Sequence, residues 1–214
     1  MSSILHAKPH LPAGIYGITS RDFGSSHEQS ALCLLKAGVK IVQYREKDAP
    51  TKTMVDEALS IKKLCRHYRA LFIVNDRMDI ALAVDADGVH IGQDDMPLQA
   101  VKRIYGSRSG KIIGVSVGDE QEARAAQAGG ADYLGAGAVY PTSTKHDSTS
   151  IGTGMLARIM KVARVPVYAI GGIRLQRLKE LKAYDVYGAA VISAVLDTPD
   201  PEKTAQVFVK RWIS

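Results

Sequence analysis

"KIVQYREKDAPTKTMVDEALSIKKLCRHYRALFIVN", residues 40–75, is a strand, a helix and a second strand in series. The apolar start of KIVQYRE (40–46) and the run LFIVN (71–75) are short, β-rich and bounded by polar residues. Between them Met54, Ala58, Ile61, Cys65 and Tyr68 recur at steps of four, three, four and three. That spacing lays one apolar stripe along a helix. Strand–helix–strand with a helix this long implies a right-handed crossover and parallel pairing.

The same unit recurs in both directions along the chain. Further strands are expected at GIYGITS (14–20), GVHIG (88–92), IIGVS (112–116), YLGAG (133–137), VYAIGG (167–172) and AAVISA (189–194), which makes eight. Leu175, Leu178 and Leu181 mark a later helical face, and Ala205, Phe208 and Trp212 mark the last. Eight units in 214 residues leave about 27 residues each, the spacing of a small (β/α)8 barrel. An open doubly wound sheet is the rival. GITSRDFGS after the first strand holds no GxGxxG, and PTSTK is no phosphate-binding P-loop. The expectation is a single-domain α/β (β/α)8 TIM barrel over 1–214, with 1–13 an N-terminal extension free to move.

Composition sets the surroundings. The chain is 46% hydrophobic and 23% charged, as in a soluble globular protein, and its formal net charge of +6 reads either as a solvated basic surface or as a match to an anionic partner. Its basic residues form no run and do not interleave with aromatics, which argues against nucleic acid. No apolar run nears the roughly 18 residues of a membrane span, and the start, MSSILHAKPHLPAG, does not read as a secretory signal. Cys33 and Cys65 form no CxxC pair, so a reducing cytoplasm is expected. Assembly into a homo-oligomer stays open.

A barrel of this kind puts its active site at the C-terminal ends of its strands. After the second strand, Gln43, Arg45 and Lys47 share one face and Tyr44 and Glu46 the other. The first set offers an amide and two cations to a polyanion. Asn75 and Asp76 follow the third strand, and Asp94 and Asp95 the fourth. The aspartates are either helix N-caps or a pair that shares Mg²⁺ with substrate phosphates. His90 reads as a packed or hydrogen-bonded histidine, and Ser116 ends the fifth strand with a hydroxyl. Gly171 and Gly172 after the seventh strand, with Ile192 and Ser193 after the eighth, lie where such barrels bind phosphate. Two anion sites therefore face one mouth, with the hydroxyl-rich loop after the sixth strand between them in strand order.

These pieces, QYREK, VNDRMDIALAVDADGVHIGQDDMP, GVS, GADYLGAGAVYPTSTK, AIGGI and VISAV, occur in the order of one family, and the chain resembles thiamine-phosphate synthase along nearly its whole length. The resemblance implies a barrel that joins hydroxymethylpyrimidine diphosphate to hydroxyethylthiazole phosphate, giving thiamine phosphate and pyrophosphate. It implies that Gln43, Tyr44, Arg45, Glu46, Lys47, Asn75, Ser116 and Lys145 hold the pyrimidine diphosphate, with Lys47, Ser116 and Lys145 acting in catalysis. It implies Mg²⁺ on Asp76 and Asp95, and the thiazole phosphate on Thr142, Ser143, Thr144, Gly172, Ile192 and Ser193. Pyrophosphate would leave first, and the thiazole nitrogen would trap the pyrimidine methylene cation without a protein nucleophile.

One departure stands out. Many members read Ser-x-His-Thr after the fifth strand, where this chain has Ser116, Val117, Gly118 and Asp119. The related thiazole tautomerase resembles Ser-Val-His-Ser there, relies on that histidine and lacks PTSTK. Gly118 cannot do acid–base work. A non-catalytic barrel that binds thiamine intermediates is the further alternative, against which Asp76, Asp95 and Lys145 stand.

Overall fold

The computed structural model describes residues 8–23, 25–106, 110–142 and 150–214. Eight strands, β1 (Gly14–Ile18), β2 (Ile41–Tyr44), β3 (Leu71–Asn75), β4 (Gly88–Ile91), β5 (Ile112–Val117), β6 (Tyr133–Ala136), β7 (Val167–Ile170) and β8 (Gly188–Val191), alternate with helices. They close in sequence order into a barrel. Every pairing is parallel, and β8 returns to β1 with Ala190 opposite Tyr16.

Helices α1 (His27–Lys36), α2 (Thr51–Tyr68), α3 (Met78–Ala83), α4 (Leu98–Tyr105), α5 (Glu120–Gly129), α6 (Gly152–Val162) and α7 (Leu178–Lys182) lie between successive strands. The short α8 (Ser193–Leu196) and the C-terminal α9 (Pro201–Ile213) follow β8. The α2 stripe behaves as its spacing requires: Met54, Ala58, Ile61 and Cys65 are buried, while Tyr68 is half-covered at the helix end. Local caps fix several helix starts. Ser26 and Gln29 form a capping box on α1, and Asp200 accepts from the Lys203 N–H at the start of α9.

The strand alternation builds two cores. Inward residues Tyr16, Ile18, Ile41, Ile73, Ile112, Tyr133 and Tyr168 fill the barrel. Their neighbours, such as Val42, Phe72, Val74 and Leu134, pack outward against the helices. Residues 8–13 close the N-terminal end. Leu11 joins the interior cluster. Tyr168 donates to the Pro12 carbonyl and Tyr187 to the Leu11 carbonyl, both at 2.7 Å. The expected extension is thus partly docked, and its residues 1–7 lie outside the described residues.

The β2, β7 and β8 strands end sooner than the sequence runs suggested, at Tyr44, Ile170 and Val191. The residues beyond them leave the ladder and form the barrel mouth.

Candidate active site

A cavity of about 250 Å³ opens at the C-terminal end of the barrel. Gln43, Arg45 and Lys47 line one side, Asn75 and Asp76 the next, then Gln93, Asp94 and Asp95, then Ser116. Ile170 and Ile192 complete the wall, and Tyr16, His90, Tyr133 and Tyr168 lie beneath. Each group arrives by the alternation of its strand. Ile41 points inward, Gln43 follows it, and the chain beyond Tyr44 keeps the sense long enough to bring Arg45 and Lys47 to the same opening.

Tyr44 and Glu46 go the other way. The Tyr44 hydroxyl donates to Glu57 on α2 at 2.7 Å. Glu46 ion-pairs with Arg21 at 3.1 Å and hydrogen-bonds with His27 at 3.0 Å, behind the cavity. Their side chains are not brought to the site that Gln43, Arg45 and Lys47 share.

Asp76 and Asp95 meet in the cavity. Burial, then hydrogen bonding to Asp95 and the Asp95 charge, push the Asp76 carboxyl up to about 7, against the pull of Lys47 and Arg45. The Asp95 carboxylate also accepts the Gly92 N–H at 2.7 Å. Neither aspartate caps a helix: Arg77 and Pro97 precede α3 and α4 and make no side-chain cap. Two crowded carboxylates beside a cationic wall have the chemistry a hard divalent ion needs, since Mg²⁺ accepts one or two carboxylates plus phosphate and water oxygens. Residues Asp76 and Asp95 therefore fit Mg²⁺, and Asp94 lines the same cavity.

A second acidic grouping, His27, Glu46 and Glu57, places its ligand atoms within 4.8 Å of one another. The Arg21 guanidinium is already paired with both glutamates. It is a filled ion-pair network.

The anion-receptive groups after β7 and β8 open on a separate depression of about 490 Å³, lined by Thr142, Gly172, Ser193 and the exposed Arg174 among others. Gly171 and Gly172 have φ of 94° and 61°, a region that favours glycine. A Cβ on Gly172 would lie 2.5 Å from the Pro141 carbonyl oxygen, so the turn packs directly under the β6 loop. Arg177 braces that loop, its guanidinium 3.7 Å from the centre of the Tyr140 ring. Ile170 and Ile192 face the first cavity, while Gly172 and Ser193, one or two residues on, face the second. The two sites adjoin at the ends of β7 and β8. Ser143, Thr144 and Lys145 lie outside the described residues.

Arg174 and Gln93 were not foreseen, although a cation four residues past a strand end is a readable signal. Tyr16, Tyr133 and Tyr168 were also missed. Their signal is a tyrosine at an inward register on three strands. His90 is buried and hydrogen-bonded on both ring nitrogens. The departure at Gly118 and Asp119 also has a local account. The Asp119 carboxylate accepts the Glu122 N–H at 2.8 Å and caps α5, while the Gly118 N–H donates back to the Glu122 carboxylate at 2.6 Å.

Comparison with known proteins gives the family. The family model described as thiamine monophosphate synthase matches residues 15–195. A thiamine-phosphate synthase of Caldivirga maquilingensis is 46% identical over 203 residues, 94% of this chain and 98% of that protein. One of Archaeoglobus fulgidus is 48% identical over 197 residues, covering 92% and 91%. The solved thiamine phosphate pyrophosphorylase of Pyrococcus furiosus superposes with a TM-score of 0.87 at 41% identity, covering 94% of this chain and 96% of that one. A closed barrel whose strand ends carry these groups, matched in sequence over nearly its full length, belongs to the thiamine-phosphate synthase family.

Proposed function

We propose that the protein condenses 4-amino-2-methyl-5-(diphosphooxymethyl)pyrimidine with hydroxyethylthiazole phosphate, releasing thiamine phosphate and pyrophosphate. The observation that carries the reading is the meeting of Arg45 and Lys47 with the Asp76–Asp95 pair in one cavity. Cations and paired carboxylates in the same opening suit a diphosphate that arrives with a divalent ion.

Gln43, Arg45, Lys47, Asn75 and Ser116 hold the diphosphate end in this reading, and the resemblance adds Lys145. Asp76 and Asp95 hold Mg²⁺, which when bound neutralises charge on the phosphate oxygens. Thr142, Gly172 and Ser193 hold the thiazole phosphate in the neighbouring depression, Ile192 meets it from the first cavity where the two adjoin, and the resemblance adds Ser143 and Thr144. The enzyme's own work is charge stabilisation of a departing pyrophosphate and placement of the thiazole nitrogen against the pyrimidine methylene. Tyr44 and Glu46 act from behind the wall.

The tautomerase alternative needs a histidine where this chain has Gly118, beside an Asp119 committed to a helix cap. Cys33 and Cys65 are free thiols, which supports work in a reducing cytoplasm. No helix among the described residues is long and apolar enough to cross a membrane. The test is incubation of the purified protein with both substrates and Mg²⁺. Thiamine phosphate and pyrophosphate should form in equal amounts, and the absence of both would sink the reading.

A further inference from the structure

Along the floor and wall of the cavity, five polar groups from five strands make one continuous hydrogen-bonded chain. Gln43 Nε2 on β2 donates to the Tyr16 hydroxyl on β1 at 3.0 Å. The Tyr16 hydroxyl lies 2.8 Å from the Tyr133 hydroxyl on β6. The Tyr133 hydroxyl lies 3.0 Å from His90 Nδ1 on β4, and His90 Nε2 lies 2.9 Å from Ser116 Oγ on β5. Gln43, Tyr16, Tyr133 and His90 are all buried. The fit is close: a Cβ on Gly114 would lie 2.1 Å from the Tyr133 ring and 2.5 Å from His90 Nδ1.

The protons in such a chain are not independent. The Gln43 amide nitrogen can only donate, so the Tyr16 oxygen accepts; the other polar group bonded to it is the Tyr133 hydroxyl, so the Tyr16 proton is satisfied only when it is donated there. The Tyr133 oxygen then accepts and donates onward to His90 Nδ1. His90 is buried between two hydroxyls, with no carboxylate bonded to either ring nitrogen, so the imidazole is neutral and has one N–H. With Nδ1 accepting, that proton sits on Nε2 and is donated to Ser116. The serine oxygen has then accepted one bond, and its own hydroxyl proton is left to give.

We infer that this chain, started by the Gln43 amide, fixes the His90 tautomer and makes Ser116 a hydrogen-bond donor to the pyrimidine diphosphate, with Tyr16, Tyr133 and His90 as positioning residues. The role given to Ser116 rests on the proposed function; the tautomer does not. A reversed chain would have every donor turned round, with Ser116 giving its proton to His90 and presenting only lone pairs to an anion. One amide orientation at the far side of the barrel thus decides whether Ser116 attracts or repels the substrate.

The tautomer is read from the ¹⁵N shifts of the imidazole nitrogens in the full-length substrate-free protein, with His90→Gln to assign the signal. The expected result is a protonated Nε2 and a bare Nδ1. A protonated Nδ1, or an averaged mixture, would overturn the inference. Tyr16→Phe touches neither His90 nor Ser116 in the chain yet cuts it. It should move the His90 signals toward an averaged mixture, and an unchanged tautomer would show that the chain does not set it.

Kinetics supply the second arm. Tyr133→Phe keeps the ring and should lower kcat/KM for the pyrimidine diphosphate by about tenfold, the scale of one hydrogen bond. Added to Ser116→Ala, it should cost nothing more, because its effect runs through that hydroxyl. Multiplying effects would mark Tyr133 as merely structural and overturn the coupling to Ser116. A protein that makes no thiamine phosphate but shows the Nε2 tautomer would sink the proposed function and leave the chain's direction standing.

Discussion

His27 Nε2 lies 3.0 Å from Glu46 Oε2 on the outer side of the barrel wall. The other His27 nitrogen meets the Thr19 hydroxyl at 2.8 Å, so the ring is fixed from both ends. The second Glu46 oxygen accepts the backbone N–H groups of Lys47, Asp48 and Ala49, at 2.7, 2.8 and 3.3 Å. Glu46 therefore organises the backbone of the segment whose side chains, Arg45 and Lys47, face the cavity.

Glu46→Gln should loosen that segment. Its burial would raise the carboxyl pKa, but the N–H groups of Asp48, Ala49 and Lys47, together with His27, hold it down to about 2, against an ordinary value of 4.5. The folded carboxylate thus stabilises the protein fully above about pH 4.5, and this contribution disappears as pH falls through about 2. In chemical denaturation, wild type should exceed the variant at pH 7 and converge on it in acid. The KM for the pyrimidine diphosphate should rise several-fold with little change in kcat. A variant with parallel stability at every pH would remove Glu46 from this role.

Asp76→Asn should trade binding for stability. The folded Asp76 carboxyl keeps its proton to about 7, where an unfolded one loses it near 3.8. The metal-free fold therefore loses stability as pH rises through that window. At pH 8 the amide should raise the metal-free melting temperature by roughly 2–4 °C, the response to about 1 kcal/mol in a chain of this size. Mg²⁺ titration calorimetry should show binding to wild type and little to the variant. Equal Mg²⁺ binding by both would take Asp76 out of the metal site.

Gly172→Ala probes the second depression. The position has a φ of 61°, and the new Cβ would press on the Pro141 carbonyl at 2.5 Å and on Tyr140 Cβ at 2.8 Å. A cost of about 1–3 kcal/mol is expected from backbone strain, seen as a lower melting temperature. The KM for the thiazole phosphate should rise, while that for the pyrimidine diphosphate stays nearly constant. An equal rise in both would mean that the two depressions do not divide the substrates.

Lys145→Ala rests on sequence, because residue 145 lies outside the described residues. A cation beside a departing pyrophosphate matters most in the transition state. The variant should lose roughly 10²–10³ in kcat, as for other preorganised charge contacts, with a smaller change in the thiazole KM. Steady-state rates within twofold of wild type would leave the loop a solvated polar turn.

Sequence by itself determined the architecture, and with it the end of the barrel where the candidate site lies. A four-three repeat such as Met54, Ala58, Ile61 and Cys65 fixes a helical face locally, and eight short apolar runs alternating with helical segments admit few topologies. Alternation also separated Gln43, Arg45 and Lys47 from Tyr44 and Glu46, although the family resemblance grouped all five as substrate contacts. Only the tertiary structure sent Glu46 to His27, because α1 comes to rest behind β2. Barrel closure likewise turned Asp76 and Asp95 from possible helix caps into a facing carboxylate pair. The chain from Gln43 to Ser116 is legible only in three dimensions. Tyr16 and Tyr133 are 117 positions apart, and their hydroxyls meet because the eight strands close into a ring, a long-range condition that no local pattern of residues encodes.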